Sequence, residues 1–287
     1  MAGVVPLALG LAVALTALQV FLAWADLSAR VLPMADDMLR LAGIRDWLAG
    51  QAAGDLTQLR LGPPGGTALD WSRLPDLVPA LLVAALSPVT GPARAELVAL
   101  VLWPELLFFA HMLIAAALAR TLAGPRAALI AVVLAALATP AAAAFRPGAI
   151  GGLGMGIVAV EAAMLALVRG RFGAAGLLAA LALAIGPEAT PPLLAALVAL
   201  IGIWAADRPA VTGGALLRGG AGLAAGAVAD AVLLPQGGSC PGFAVGGSGR
   251  RAWPGWRWSR SACSPRVWPI RAGGWARRRR SPCSHGR

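Results

Sequence analysis

Apolar runs close to the thickness of a bilayer recur along this chain up to about residue 235, and few folds can absorb them. The first is 4–24, VVPLALGLAVALTALQVFLAW, with Trp24 at its end, where an interfacial ring is expected. Others read at about 96–118, 127–145, 149–168, 173–186, 191–206 and 219–234. A helix needs roughly 20 apolar residues to span, so the pattern predicts about six to eight spans. Charge is correspondingly scarce. Only 13% of residues are charged, against about 25% in soluble domains, and such a surface is hard to solvate. The expected fold is all-α, a polytopic transmembrane helix bundle over residues 1–235. The first run lacks a positive n-region and is long for a cleaved signal, so it reads as an uncleaved anchor.

The net charge of +11 is not spread evenly. Residues 1–235 hold 13 Arg and 13 Asp plus Glu, whereas 236–287 hold 11 Arg and no acid. There is no Lys or Tyr. The tail 236–287 is rich in Arg, Trp, Gly, Ser and Pro and loses the apolar periodicity, so a disordered basic segment is expected there. It reads either as an arm for anionic lipid or nucleic acid, or as the product of a shifted reading frame in a GC-rich gene. The spacing of Cys240, Cys263 and Cys283 fits no zinc pattern.

Between the first and second strong runs lies a polar stretch, 25–75, read as an extracytoplasmic loop. Within it, 36–51 (DDMLRLAGIRDWLAGQ) has helical periodicity, with Asp36 and Asp37 where a helix start favours acids. GPPGG at 62–66 marks a turn. Residues 76–90 are apolar, but Pro79 and Pro88 bracket only about ten residues, so an interfacial or re-entrant helix is expected. With 76–90 not crossing, Arg120 with Arg126, Arg169 with Arg171, and Arg208 with Arg218 all fall on the cytoplasmic side, as arginine bias requires. The FRPG turn (145–148) and GPEATPP turn (186–192) then share the side of loop 25–75.

Several residues could carry chemistry. Asp36 and Asp37 lie just beyond the first span, where a carboxylate can serve as general base to an acceptor hydroxyl. Helix capping is the competing reading. Arg40, Arg45, Arg60 and Arg73 could grip a phosphate, although Arg40 stands one turn from Asp36 and Asp37 and could simply pair with them. Arg146 and Glu188 sit in turns on the same side. Glu161, Glu105 and His111 fall inside spans, where an ionisable group is costly and is a functional candidate or a helix–helix contact. Asp230 near the last span's end is a weaker candidate. No Walker A, GxSxG or HExxH string occurs. The glycines of 148–156 follow no strand, and close helix packing explains them better than a dinucleotide site.

The strings DDMLR, RDWLAGQ and WSRLPDL, followed by the FRPG turn, resemble those of a group of bacterial membrane proteins within the GT-C class of membrane glycosyltransferases. The likeness covers about 5–205. It implies a first span, an extracytoplasmic loop with an acidic pair and short juxtamembrane helices, then a many-span bundle in a bacterial inner membrane. It also implies transfer of a sugar from a polyprenyl-phosphate donor at the periplasmic face. Asp36 or Asp37 would be catalytic, and Arg40, Arg45, Arg73, Arg146 and Glu188 would bind substrate. The expected partners are the lipid-linked sugar and membrane lipids, not nucleic acid. No cofactor is implied with certainty, and a divalent metal is left open. Two departures imply an incomplete, inactive relative: no Asp or His follows FRPG, and the membrane pattern ends near 235. Rival expectations are a transporter using Glu161, Glu105 and His111, or a non-catalytic membrane scaffold.

Overall fold

The computed structural model describes residues 3–62, 66–69, 71–206 and 211–233. The expectations for the tail 236–287 fall outside the described residues, as do Asp70, Arg208 and part of the GPPGG turn.

The described residues are all-α apart from one two-residue antiparallel pairing, β1 (Thr57–Gln58) with β2 (Thr67–Ala68). The helices are α1 (Val4–Leu22), α2 (Trp24–Ala29), α3 (Ala35–Leu48), α4 (Leu74–Thr90), α5 (Pro92–Ala123), α6 (Pro125–Leu137), α7 (Thr139–Ala142), α8 (Gly152–Val168), α9 (Phe172–Ile185), α10 (Thr190–Ala205) and α11 (Gly213–Leu233). Short 3-10 turns occupy Ala143–Phe145 and Pro187–Ala189. The breaks follow from backbone chemistry. Gly91 and Gly124 take φ of 80° and 88°, which side chains resist, and a proline opens the next helix each time.

Among the described residues, four helices are long and apolar enough to cross a membrane: Val4–Leu22, Pro92–Ala123, Pro187–Ala205 and Gly213–Val232. A fifth exists if Pro125–Leu137 and Thr139–Phe145, which meet at 59°, count as one. The sequence expectation of more spans counted 149–168 and 173–186, which form the shorter apolar helices α8 and α9. Pro79 and Pro88 do not bracket α4; both lie inside its single 17-residue helix. The helix survives two missing N–H donors because it packs along α5.

The main core joins α1, α5 and α6 through Ala8, Ala12, Phe108, Met112, Ala128 and Val132, with Phe145. α8 pairs with α5 and α9, and α9 pairs most closely with α11. That last pairing depends on small residues. A Cβ on Gly176 would strike backbone atoms of Gly219 and Leu223, and one on Gly222 would strike the backbone of Gly173. By contrast α10 buries none of its residues, although it exposes Leu194, Leu197, Val198, Ile201 and Trp204.

The contacts order the bundle into two ends. At one end lie α3, the start of α4, the FRPG turn, the start of α8 and the end of α9. Gly148 donates to the Leu100 carbonyl, and Gly152 sits against Pro75 and Ile185. At the other end Phe172 packs with Val211 and Ala215, beside Arg169, Arg171 and Arg218.

Candidate functional site

The loop that the sequence marks as polar is held by four ion pairs, and its arginines are mostly committed to protein partners. Arg40 is 5% exposed and donates to Asp76, itself 2% exposed, at 2.9 Å, and to the Ser72 carbonyl at 3.1 Å. Its guanidinium lies 4.7 Å from the centre of the Trp71 ring. It therefore does not pair with Asp36, the helical neighbour suggested by spacing; the partner comes from α4. Arg45 grips Glu96 with two bonds of 2.7 Å, and Arg30 reaches the same carboxylate at 3.3 Å. Arg60 holds Asp46 by a fork of 2.8 and 3.0 Å, which keeps the Asp46 carboxyl below the usual carboxylate range. Arg73 donates to the carbonyls of Gly43 (3.2 Å) and Asp55 (2.6 Å) and lies over Trp47.

The two sequence-adjacent aspartates have opposite fates. Asp36 is exposed. Asp37 is 2% exposed, and its carboxylate accepts from Gly151 N at 2.6 Å and from Met34 N at 3.2 Å. It thus caps its own helix and secures the start of α8. Burial pushes its carboxyl up, opposed by the N–H groups of Gly151, Met34 and Ile150 and by Arg40. Burial likewise pushes the Asp76 carboxyl up against the pull of Arg40.

Three cavities matter at this end. The first, about 500 Å³, has Trp47, Trp71, Ser72 and Arg73 on the loop side. Leu177, Leu181, Ala184, Gly226 and Ala229 give it apolar walls, and Asp230 adds a carboxylate. Two of its polar atoms lack partners: Nε of Arg73 and Oδ1 of Asp230 are shut from water without a hydrogen bond. The second, about 150 Å³, contains Glu161 and Glu188 among Gly152, Gly156, Ile185 and Pro192. The third, about 500 Å³, holds Arg146 with Asp26, Gln19 and Pro33. Neither Asp36 nor Asp37 lines any of them.

The predicted site residues are therefore not gathered at one point. Arg73 faces the first cavity, Glu188 the second and Arg146 the third, while Arg40 and Arg45 are tied up in ion pairs. Asp76, Glu96, Trp47 and Trp71 were not singled out by sequence. The two tryptophans in a polar loop are the signal that pointed to them, since an exposed loop has little use for such rings. Glu105 and His111 do not meet: Glu105 has no partner among the described residues for either carboxylate oxygen, whereas His111 pairs with Glu161. Among the described residues no group of three or more His, Cys, Asp or Glu is placed to hold a metal ion.

No family model, curated protein or solved structure matches this chain.

Proposed function

We propose that this chain is a multi-pass protein of a bacterial inner membrane that receives a polyprenyl-phosphate-linked sugar at its extracytoplasmic face, as a GT-C-like glycosyltransferase would. One observation carries the reading: the cavity shared by Arg73, Trp47, Trp71 and Asp230, closed on one side by the apolar α9–α11 pair. Its chemistry suits an amphiphile. The Arg73 guanidinium brings positive charge to the cavity wall for a phosphate, the indoles offer flat apolar faces to a sugar, and the helices offer walls to an isoprenoid chain.

The membrane placement has its own support. Helix α5 has 32 residues, about 48 Å at 1.5 Å per residue, against a hydrocarbon core of about 30 Å. Its second turn holds Glu96 among Arg30 and Arg45, so the excess length belongs on the loop side and Pro104–Ala123 does the crossing. α4 runs back along that protruding part, which favours a juxtamembrane hairpin over a crossing. Apolar α10, unburied by its own chain, is satisfied by lipid.

In the transfer itself, an acceptor oxygen forms a bond to the anomeric carbon, the bond from that carbon to the phosphate oxygen breaks, and the phosphate leaves on the lipid. The acceptor proton goes to a base. Asp230 is the carboxylate in the cavity and takes that role in this reading; Asp37 serves as a structural acceptor.

The test is binding of a polyprenyl phosphate to the full chain in nanodiscs, followed by native mass spectrometry. The expected result is a stoichiometric complex that weakens in A184F, which fills the cavity, and in R73Q. Equal retention of a neutral polyprenol, or binding unaffected by A184F, would overturn the reading.

A further inference from the structure

His111 of α5 and Glu161 of α8 are joined inside the bundle, away from the loop cavity and independent of the reading above. The imidazole Nδ1 lies 2.8 Å from the Glu161 carboxylate. Phe145 stacks on the His111 ring at 5.1 Å and Phe108 flanks it at 6.5 Å, so the ring is fixed in an apolar slot. Its other nitrogen, Nε2, is buried and has no partner among the described residues. Glu161 is different: it is partly exposed and lines the cavity of about 150 Å³ that also contains Glu188.

The charge around the pair is unbalanced. Helix α1 has no ionisable side chain, α9 and α10 have none, and α6 has only Arg126 in its first turn. On α5 the interior group is Glu105, another acid; Arg94, Glu96 and Arg120 stand at least nine positions from His111, α4 adds Asp76, Arg146 follows Phe145 and is exposed, and the cavity adds Glu188. A neutral imidazole beside an ionised Glu161 therefore leaves one negative charge that opens only to the small cavity and that no arginine among the described residues pairs with, and a poorly solvated charge without a partner is disfavoured. One added proton removes that charge, whether it rests on the carboxyl or makes an imidazolium–carboxylate pair.

We propose that His111 and Glu161 form a proton-binding site, loaded from the Glu188 cavity. The proton arrives from water in the cavity at the Glu161 carboxylate and is shared across the 2.8 Å contact with Nδ1. It returns the same way, because Nε2 faces no acceptor among the described residues. The pair is a terminal proton store at the Glu188 end of the bundle, the kind of site through which a proton gradient biases a helix arrangement.

The chain has two histidines, His111 and His285, so H285Q leaves a single imidazole to observe. The full-length H285Q chain, 15N-histidine labelled and placed in lipid nanodiscs near neutral pH, is studied by NMR and infrared spectroscopy. The expected result is one of two signatures: two protonated ring nitrogens, or a protonated-carboxyl band that E161Q removes. A singly protonated ring together with no such band overturns the proposal; if E161Q fails to fold, E161D assigns the band, which must shift if it belongs to Glu161, and an unshifted band with a singly protonated ring overturns the proposal as well. The route is tested with G156L, which fills the cavity beside Glu161. Exchange of the pair into D2O should slow at least about tenfold once it must wait for local opening. Unchanged exchange rules out loading through that cavity.

Discussion

The Asp37 carboxylate accepts a hydrogen bond of 2.6 Å from the backbone N–H of Gly151, joining the start of α3 to the start of α8 across 114 positions of sequence. Burial raises this carboxyl above its ordinary range despite the donors around it. The folded chain then holds the Asp37 proton more tightly than the unfolded chain. Stability from this group is complete below about pH 4 and is lost as pH rises through the raised folded value. D37N cannot ionise and keeps an acceptor for Gly151. The melting temperature of wild type minus that of D37N, measured in detergent, should therefore fall as the pH rises above about 4. A difference that grows with pH would mean that the backbone donors outweigh burial.

Arg40 and Asp76 make a buried pair whose halves are unequal to their sum. Removing the carboxylate in D76L leaves a buried guanidinium whose remaining hydrogen bond among the described residues is to the Ser72 carbonyl. Such a broken buried pair costs about 3–5 kcal/mol. The double variant R40M/D76L removes the stranded charge and should recover much of that loss. Thermal melts of the four chains form the cycle, and additive losses would show that the pair is not a coupled unit.

How far the fold was legible follows from these residues. The apolar runs announced the helices because side-chain chemistry alone sets them, and α3 began where Asp36 and Asp37 predicted. The prolines of α4 misled because a proline's cost depends on neighbouring contacts, here those with α5, which local sequence does not display. The site was least legible. Spacing places Arg40 near Asp36, but its partner Asp76 lies 36 positions away. Likewise Asp230 and Arg73 line one cavity from distant parts of the chain, a juxtaposition made only by the packing of α11 on α9.

Gly176 tests that packing. Its Cβ position is occupied by backbone of α11, so G176L must push the helices apart. Overpacking costs typically about 1–3 kcal/mol, and rigid backbone as the obstacle puts this substitution at the upper end. Gly202 on α10 has open space around its Cβ position, so G202A is the control and should melt within experimental error of wild type. If both variants behave alike, the close α9–α11 contact is wrong.

Glu105 offers a change in the opposite direction. It belongs to α5, between Pro104 and the residues that pack against α1, and both its carboxylate oxygens are buried without a hydrogen-bond partner. An unsatisfied buried polar group costs about 1–3 kcal/mol, and an apolar replacement of similar size removes that cost while keeping the volume. E105M should thus raise the melting temperature in detergent, whereas E105Q, which keeps polar atoms in the same place, should gain less. The order distinguishes a burden from a function. A loss of stability in E105M would show that the carboxylate has a partner that matters, and the position would then join His111 and Glu161 as a polar element of the bundle interior.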